Sequence, residues 1–188
     1  VLAGLALGHP DVAIALEHEG RCLLQTQGDG DLRSVAAALL GADAAAGLLY
    51  GHEQSPRLGR IEVWAGPPAI ARASRRFQFF LVNGRPVRSD ALRAAVEGEY
   101  RGLLPLHRYP IVIVRLELPP AEVDVNVHPS KQTVRLARSG EVAATVARVL
   151  RRALAATDLA PRLRLSTGKP TALPAVPPPS HGRVPASP

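Results

Sequence analysis

Ile111–Leu118 reads IVIVRLEL, with Pro110 directly before it and Pro119-Pro120 directly after. Only Arg115 and Glu117 interrupt the apolar run. A strand this apolar has little to offer water, so it predicts a central position in a sheet. On its C-terminal side the two prolines mark a turn. Glu122–His128 and Thr133–Leu136 then read as two further strands. Val123, Val125 and Val127 point one way along the first of them, and Asp124, Asn126 and His128 the other. Pro129 lacks an N–H and ends the ladder. Ser130 and Lys131 are left in a short connection at the end of the sheet. Val142–Leu154 follows as an amphipathic helix, with Val142, Val146, Val149, Leu150 and Ala153 on one side.

On the N-terminal side, Arg76–Val82 predicts a strand broken by the turn Asn83-Gly84, a pair suited to positive φ. Ser89 or Asp90 caps the next helix, in which Leu92, Ala95, Val96, Glu99 and Tyr100 carry the pattern. Further upstream, Arg60–Ala65 reads as a strand before the loop Gly66-Pro67-Pro68. Asp31 caps a helix whose face is Leu32, Val35, Ala36, Leu39 and Leu40, with Gly41 as its stop. A second short helix is expected over Ala44–Tyr50. Val12–Leu16 and Cys22–Thr26 read as a hairpin. From Pro161 onward the proline-rich sequence cannot build a core and reads as a disordered linker. No internal repeat stands out. The fold class is therefore α+β, a two-layer α/β domain over about residues 31–158, with a short β-rich piece before it and a tail behind.

The chain has 188 residues, 46% of them hydrophobic and 4% aromatic. Its core is therefore built of Ala, Val and Leu, and a stacking platform for bases would be small. It begins at Val1 and contains no Met, as expected of a segment of a longer protein. A net charge of +7 favours polyanionic partners: nucleic acid, nucleotide or an acidic membrane surface. Cys22 is the single cysteine, so an internal disulfide is excluded and a reducing compartment fits. No apolar run approaches the roughly 20 residues that span a bilayer. The six histidines are scattered without metal-ligand spacing, and no metal site is expected. Gly28-Asp29-Gly30 lacks the third glycine of a dinucleotide fingerprint and the Lys of a P-loop, so it reads as a turn and helix cap. Ser74 and Ser89 have no base beside them, and Glu97 and Glu99 are expected on a solvated helix face.

Two stretches carry chemical information. In RASRRFQFFLVNGRPVRS (72–89), Arg72, Arg75, Arg76, Arg85 and Arg88 flank a strand and its turn. Guanidinium groups gathered at one end of a sheet can contact several phosphates without reading sequence. An arginine-rich solvated loop fits the same spacing equally well. In VDVNVHPSKQTVRL (123–136), Lys131 is one of only two lysines, the other being Lys169 in the tail. A lysine at a strand end is a compact, mobile point charge suited to a terminal phosphate. Spacing alone would favour an ordinary exposed lysine.

Read together, FFLVNGRPV and RYPIVIVRLELPPAEVDVNVHPSKQTVRL resemble the MutL family of DNA mismatch-repair ATPases, with NGR and DVNVHPSK in order and at the family's spacing. The resemblance extends more weakly through GHPDVAIALEHEG and GDGDLRSVAAALLG, from Val1 to about Leu159. It implies that residues 1–30 are the last strands of a GHKL-type ATPase domain, the class shared with gyrase B. Residues 31–158 would be a ribosomal protein S5 domain 2-like transducer domain, and 159–188 the start of a flexible linker. Lys131 would reach the γ-phosphate of ATP, bound with Mg2+ mainly by the preceding domain, and Asn126 would support it. Arg85 and Arg88 match the family's basic NGR region, and with Arg75 and Arg76 they would bind double- or single-stranded DNA. A basic position that some members have at the start of the next helix is Asp90 here. The resemblance further implies a MutS-family partner, a homodimer formed through other domains, no membrane, and a bacterial cytoplasmic, nucleoid-associated location. It makes the chain part of an ATPase that is inactive as a fragment. Two other readings remain: the transducer of a type II topoisomerase B subunit, and a stand-alone nucleic-acid-binding module.

Overall fold

A computed structural model of the chain describes residues 2–124 and 135–156. Its centre is the strand β7, Val112–Glu117. The others of the main sheet are β3 (Leu49–Ser55), β4 (Gly59–Ala65), β5 (Gln78–Val82) and β6 (Arg85–Pro86), in the order β3-β4-β7-β5-β6. β7 runs antiparallel to β4, with Val63 opposite Val114, and parallel to β5, with Phe80 opposite Val114. The parallel pair needs a crossover, and α4 (Asp90–Glu99) lies in the connection.

Alternation along β7 sends Val112, Val114 and Leu116 to one apolar layer and Ile111 and Ile113 to the other. The first layer is closed by Leu92, Val96 and Tyr100 of the α4 region and by Val142, Val146, Val149 and Leu150 of α5 (Ser139–Ala155). The second is closed by α1 (Leu2–Gly8), α2 (Leu32–Leu40) and α3 (Ala42–Ala46), through Ala6, Leu7, Val35, Ala36 and Ala45. Each fully buried Val, Leu or Ile contributes about 1.5–3 kcal/mol, so a strand apolar on both sides is stable only between two such layers. Ala6 and Leu7 share their cluster with Leu32 and Val35, which lie beyond the boundary expected at residue 30.

Local signals fix the helix ends. The Asp31 carboxylate accepts from the Arg33 N–H at 2.8 Å, and Ser89 Oγ accepts from the Leu92 N–H at 3.3 Å. The buried Tyr100 hydroxyl donates to the Gly66 carbonyl at 2.6 Å, tying the end of α4 to the loop after β4. The first hairpin forms as β1 (Ala15–His18) and β2 (Arg21–Gln25), turning at Glu19 and Gly20, both at positive φ. β8 (Val123–Asp124) and β9 (Arg135–Leu136) pair antiparallel.

Two elements differ from the sequence reading. The expected helix over 44–50 stops at Ala46, and Leu49 opens β3 instead. LYGHEQS is too polar to read as a strand alone, but it pairs with β4 along its whole length. The cost of its polar residues is low because β3 is an edge strand. Glu97 and Glu99 do not face open solvent. Glu97 bonds Arg75 and Gln78, while Glu99 bonds Arg151 of α5 at 2.7 and 2.8 Å. The linker from residue 159 and most of the expected strand over 122–128 lie outside the described residues.

Candidate nucleic-acid interface

The turn between β5 and β6 holds Asn83 at φ 47° and Gly84 at φ 78°. Both central residues are left-handed, the geometry of a two-residue hairpin turn. Asn83 also does more than turn the chain. Its side-chain amide donates to the Leu118 carbonyl at 3.1 Å and accepts from the Leu118 N–H at 2.8 Å, while its own N–H donates to the Leu116 carbonyl at 2.8 Å. On the other side the turn meets α1. A Cβ on Gly8 would stand 2.0 Å from the Gly84 carbonyl oxygen, and one on Gly4 would stand 2.8 Å from Pro86 Cβ. The turn that presents Arg85 is thus clamped from two directions.

Beside it opens a groove of about 700 Å3 whose lining includes Arg75, Arg76, Arg85 and Arg88. Ala3, Gly4 and Leu39 close one side, and Phe77, Phe79 and Pro86 give it an apolar wall. The four arginines expected to contact DNA therefore surround one concavity, although they lie on both sides of a strand in sequence. All four are exposed. Ser74, at the start of the turn Arg75–Phe77, accepts the Arg76 N–H at 3.3 Å and so serves as a cap.

Their surroundings differ. Arg75 donates from Nε to Glu97 Oε1 at 2.7 Å and from Nη2 to Oε2 at 3.1 Å, with its guanidinium carbon 4.2 Å from the centre of the Tyr109 ring. The Arg75 hydrogen bond, with help from Gln78, holds the Glu97 carboxyl below its ordinary pKa. Arg76 lies over the Phe77 ring at 4.8 Å. Arg85 and Arg88 have no carboxylate partner among the described residues. Arg93 also lines the groove, which the sequence reading did not foresee, and bonds Asp90 at 2.7 Å. Its signal was the cap at Ser89: a helix that starts right after Arg88 carries its first turn back beside the groove.

Asn126 and Lys131 lie outside the described residues. The strands flanking them are in register, Val123 opposite Leu136 and Asp124 opposite Arg135. Leu136 is buried in the first apolar layer, and the Ala137 N–H donates to the Glu122 carbonyl at 3.0 Å. Among the described residues no three His, Cys, Asp or Glu side chains are grouped as a metal site, and no helix is long and apolar enough to cross a membrane.

A family model described as "DNA mismatch repair protein, C-terminal domain" matches residues 36–155. The DNA mismatch repair protein MutL of Geobacillus kaustophilus is 43% identical over 161 residues, 86% of this chain and 25% of its own length. The chain belongs to the MutL family of DNA mismatch-repair proteins. MutL of Symbiobacterium thermophilum is 44% identical over 164 residues, again 86% of this chain and 25% of that protein. The chain thus spans about a quarter of these MutL relatives. A solved structure described as the N-terminal domain of a DNA repair protein matches with a TM-score of 0.68 at 23% identity, covering 85% of this chain and 53% of that one. It shows the fold, and the α+β class expected of a MutL transducer is the class observed. Membership of the MutL family does not favour the topoisomerase or stand-alone readings.

Proposed function

We propose that this chain is the transducer region of a MutL-type ATPase acting in DNA mismatch repair, with DNA contacted on one side and ATP on another. The observation that carries the DNA half is the convergence of Arg75, Arg76, Arg85 and Arg88 on one groove. Such a cluster attracts phosphates and releases their counterions without reading bases. The nucleotide half rests on the DVNVHPSK motif. Lys131 supplies positive charge to the γ-phosphate of ATP, which the preceding domain and its Mg2+ mainly hold, and Asn126 supports it. A charge placed there stabilises negative charge developing on the transferred phosphoryl group. The same contact would fix one domain against the next and favour closure of the dimer on DNA.

In this reading residues 1–30 end the ATPase domain, 31–158 are the transducer and 159–188 begin the linker. Dimerisation runs through other domains, the mismatch signal comes from a MutS-family partner, and the protein works at the bacterial nucleoid. The chain by itself would bind DNA weakly and turn over no ATP. The test is DNA binding by the full-length protein over a range of salt concentrations. Arg85→Glu with Arg88→Glu is expected to weaken binding and to shallow the log–log salt slope by about 0.9 for each phosphate that is no longer neutralised. An unchanged slope places the DNA face elsewhere.

A further inference from the structure

Of the five arginines that line the groove, the four expected to contact DNA are not equivalent, and we propose that Arg75 does not hold phosphate. It is a positioning residue, anchored by Glu97, that fixes the turn from which Arg76 meets DNA. This deepens the DNA reading above and rests on it.

The geometry separates Arg75 from its neighbours. Two of its N–H groups are given to both oxygens of one carboxylate, and one face of its guanidinium is taken by the Tyr109 ring. Gln78 adds a third hydrogen bond to the same carboxylate, Nε2 to Oε1 at 3.2 Å. Glu97 itself is only 28% exposed. A phosphate that recruited Arg75 would have to approach this carboxylate or strip it of its partner. The first sets two anions side by side, and the second leaves a mostly buried carboxylate unpaired. The pair carries no net charge, so Arg75 offers little to counterion release.

What the pair does hold is the short turn Arg75–Phe77, which it ties to α4 across 22 positions of sequence. The same region is stitched to the segment that leads into β7: the Arg72 and Tyr109 N–H groups exchange hydrogen bonds with each other's carbonyls at 2.9 and 2.8 Å. Arg76 is the next residue, and its guanidinium rests on Phe77 with no carboxylate beside it among the described residues. Fixing Arg75 therefore fixes the backbone that aims Arg76 into the groove, while Arg85 is presented independently by the clamped β5–β6 turn and Arg88 by the segment between β6 and α4.

The experiment measures binding of full-length protein to a labelled DNA duplex between about 50 and 200 mM salt, the range over which phosphate contacts are most visible. Arg85→Gln and Arg76→Gln are each expected to shallow the slope by about 0.9. Arg75→Gln is expected to lower affinity several-fold with the slope less changed than in either. The swapped variant, Arg75→Glu with Glu97→Arg, is expected to recover affinity and the full slope, as it can only if position 75 need not touch phosphate. The proposal is overturned if Arg75→Gln shallows the slope as much as Arg85→Gln. It is also overturned if the swap binds as poorly as Arg75→Gln while melting at the parent's temperature. If no arginine variant moves the slope, the DNA reading fails and this proposal with it. An equal change of slope at all three positions removes only the positioning role.

Discussion

Tyr100 shows how one polar atom is made to serve a core. Burial raises its hydroxyl pKa well above the ordinary phenol value, and the retained O–H donates to the Gly66 carbonyl. Tyr100→Phe leaves that carbonyl unpaired and is expected to cost about 1–3 kcal/mol, read as a lower midpoint in urea. DNA binding at the groove should be untouched, because Tyr100 does not line it. Lys131 is proposed as the opposite case, a residue whose importance would lie in a ligand. In the full-length protein Lys131→Ala is expected to reduce ATP turnover at least tenfold, worth about 1.4 kcal/mol at the transition state, with an unchanged melting temperature. Full turnover by the variant would remove the lysine from the γ-phosphate.

Among elements, α1 positions the groove although nothing in it is charged. Its glycines 4 and 8 let it lie against the β5–β6 turn, and Gly8 is the tighter of the two. Gly8→Ala should force the turn or the helix to move, at about 1–3 kcal/mol of overpacking. DNA affinity is expected to fall with it, checked by thermal melting and binding on the same sample. This role was not legible in GLALG, where the small residues look like mere composition. β3 was missed for a related reason: its strand character comes from β4 beside it, and its own residues alternate only in burial. Elements whose signals are local were legible. β7 announces itself through a nearly continuous apolar run, α2 and α4 through caps, and the turn at Asn83 through its dipeptide. Of the site, the arginines could be nominated from their spacing, but their inequality could not, because Glu97 and Tyr109 reach Arg75 only through the fold.

At the scale of the whole molecule, the first layer depends on how α5 is fastened. Glu53 of β3 pairs with both Arg148 and Arg152, and Glu99 of α4 pairs with Arg151. The hydrogen bond and charge of Arg148, then the charge of Arg152, lower the pKa of Glu53 in the folded state, as Arg75 does for Glu97. A lowered folded-state pKa adds stability above the unfolded value and loses it as pH falls through the folded value. The melting temperature is therefore expected to hold near neutral pH and to fall once pH drops below the ordinary carboxylate range. Glu53→Gln should flatten part of that fall. An equally steep decline in the variant would assign the acid sensitivity to other groups.

The clamp at Asn83 joins parts of the chain 35 positions apart and leaves very little freedom in the choice of side chain. Glycine would take the left-handed backbone and give up both bonds to Leu118. Aspartate would keep the acceptor and set a carboxylate against the Leu118 carbonyl. Of the side chains at ease in that conformation, asparagine alone offers the donor, the acceptor and the turn. The first letter of NGR is dictated by a strand end that the chain has not yet reached.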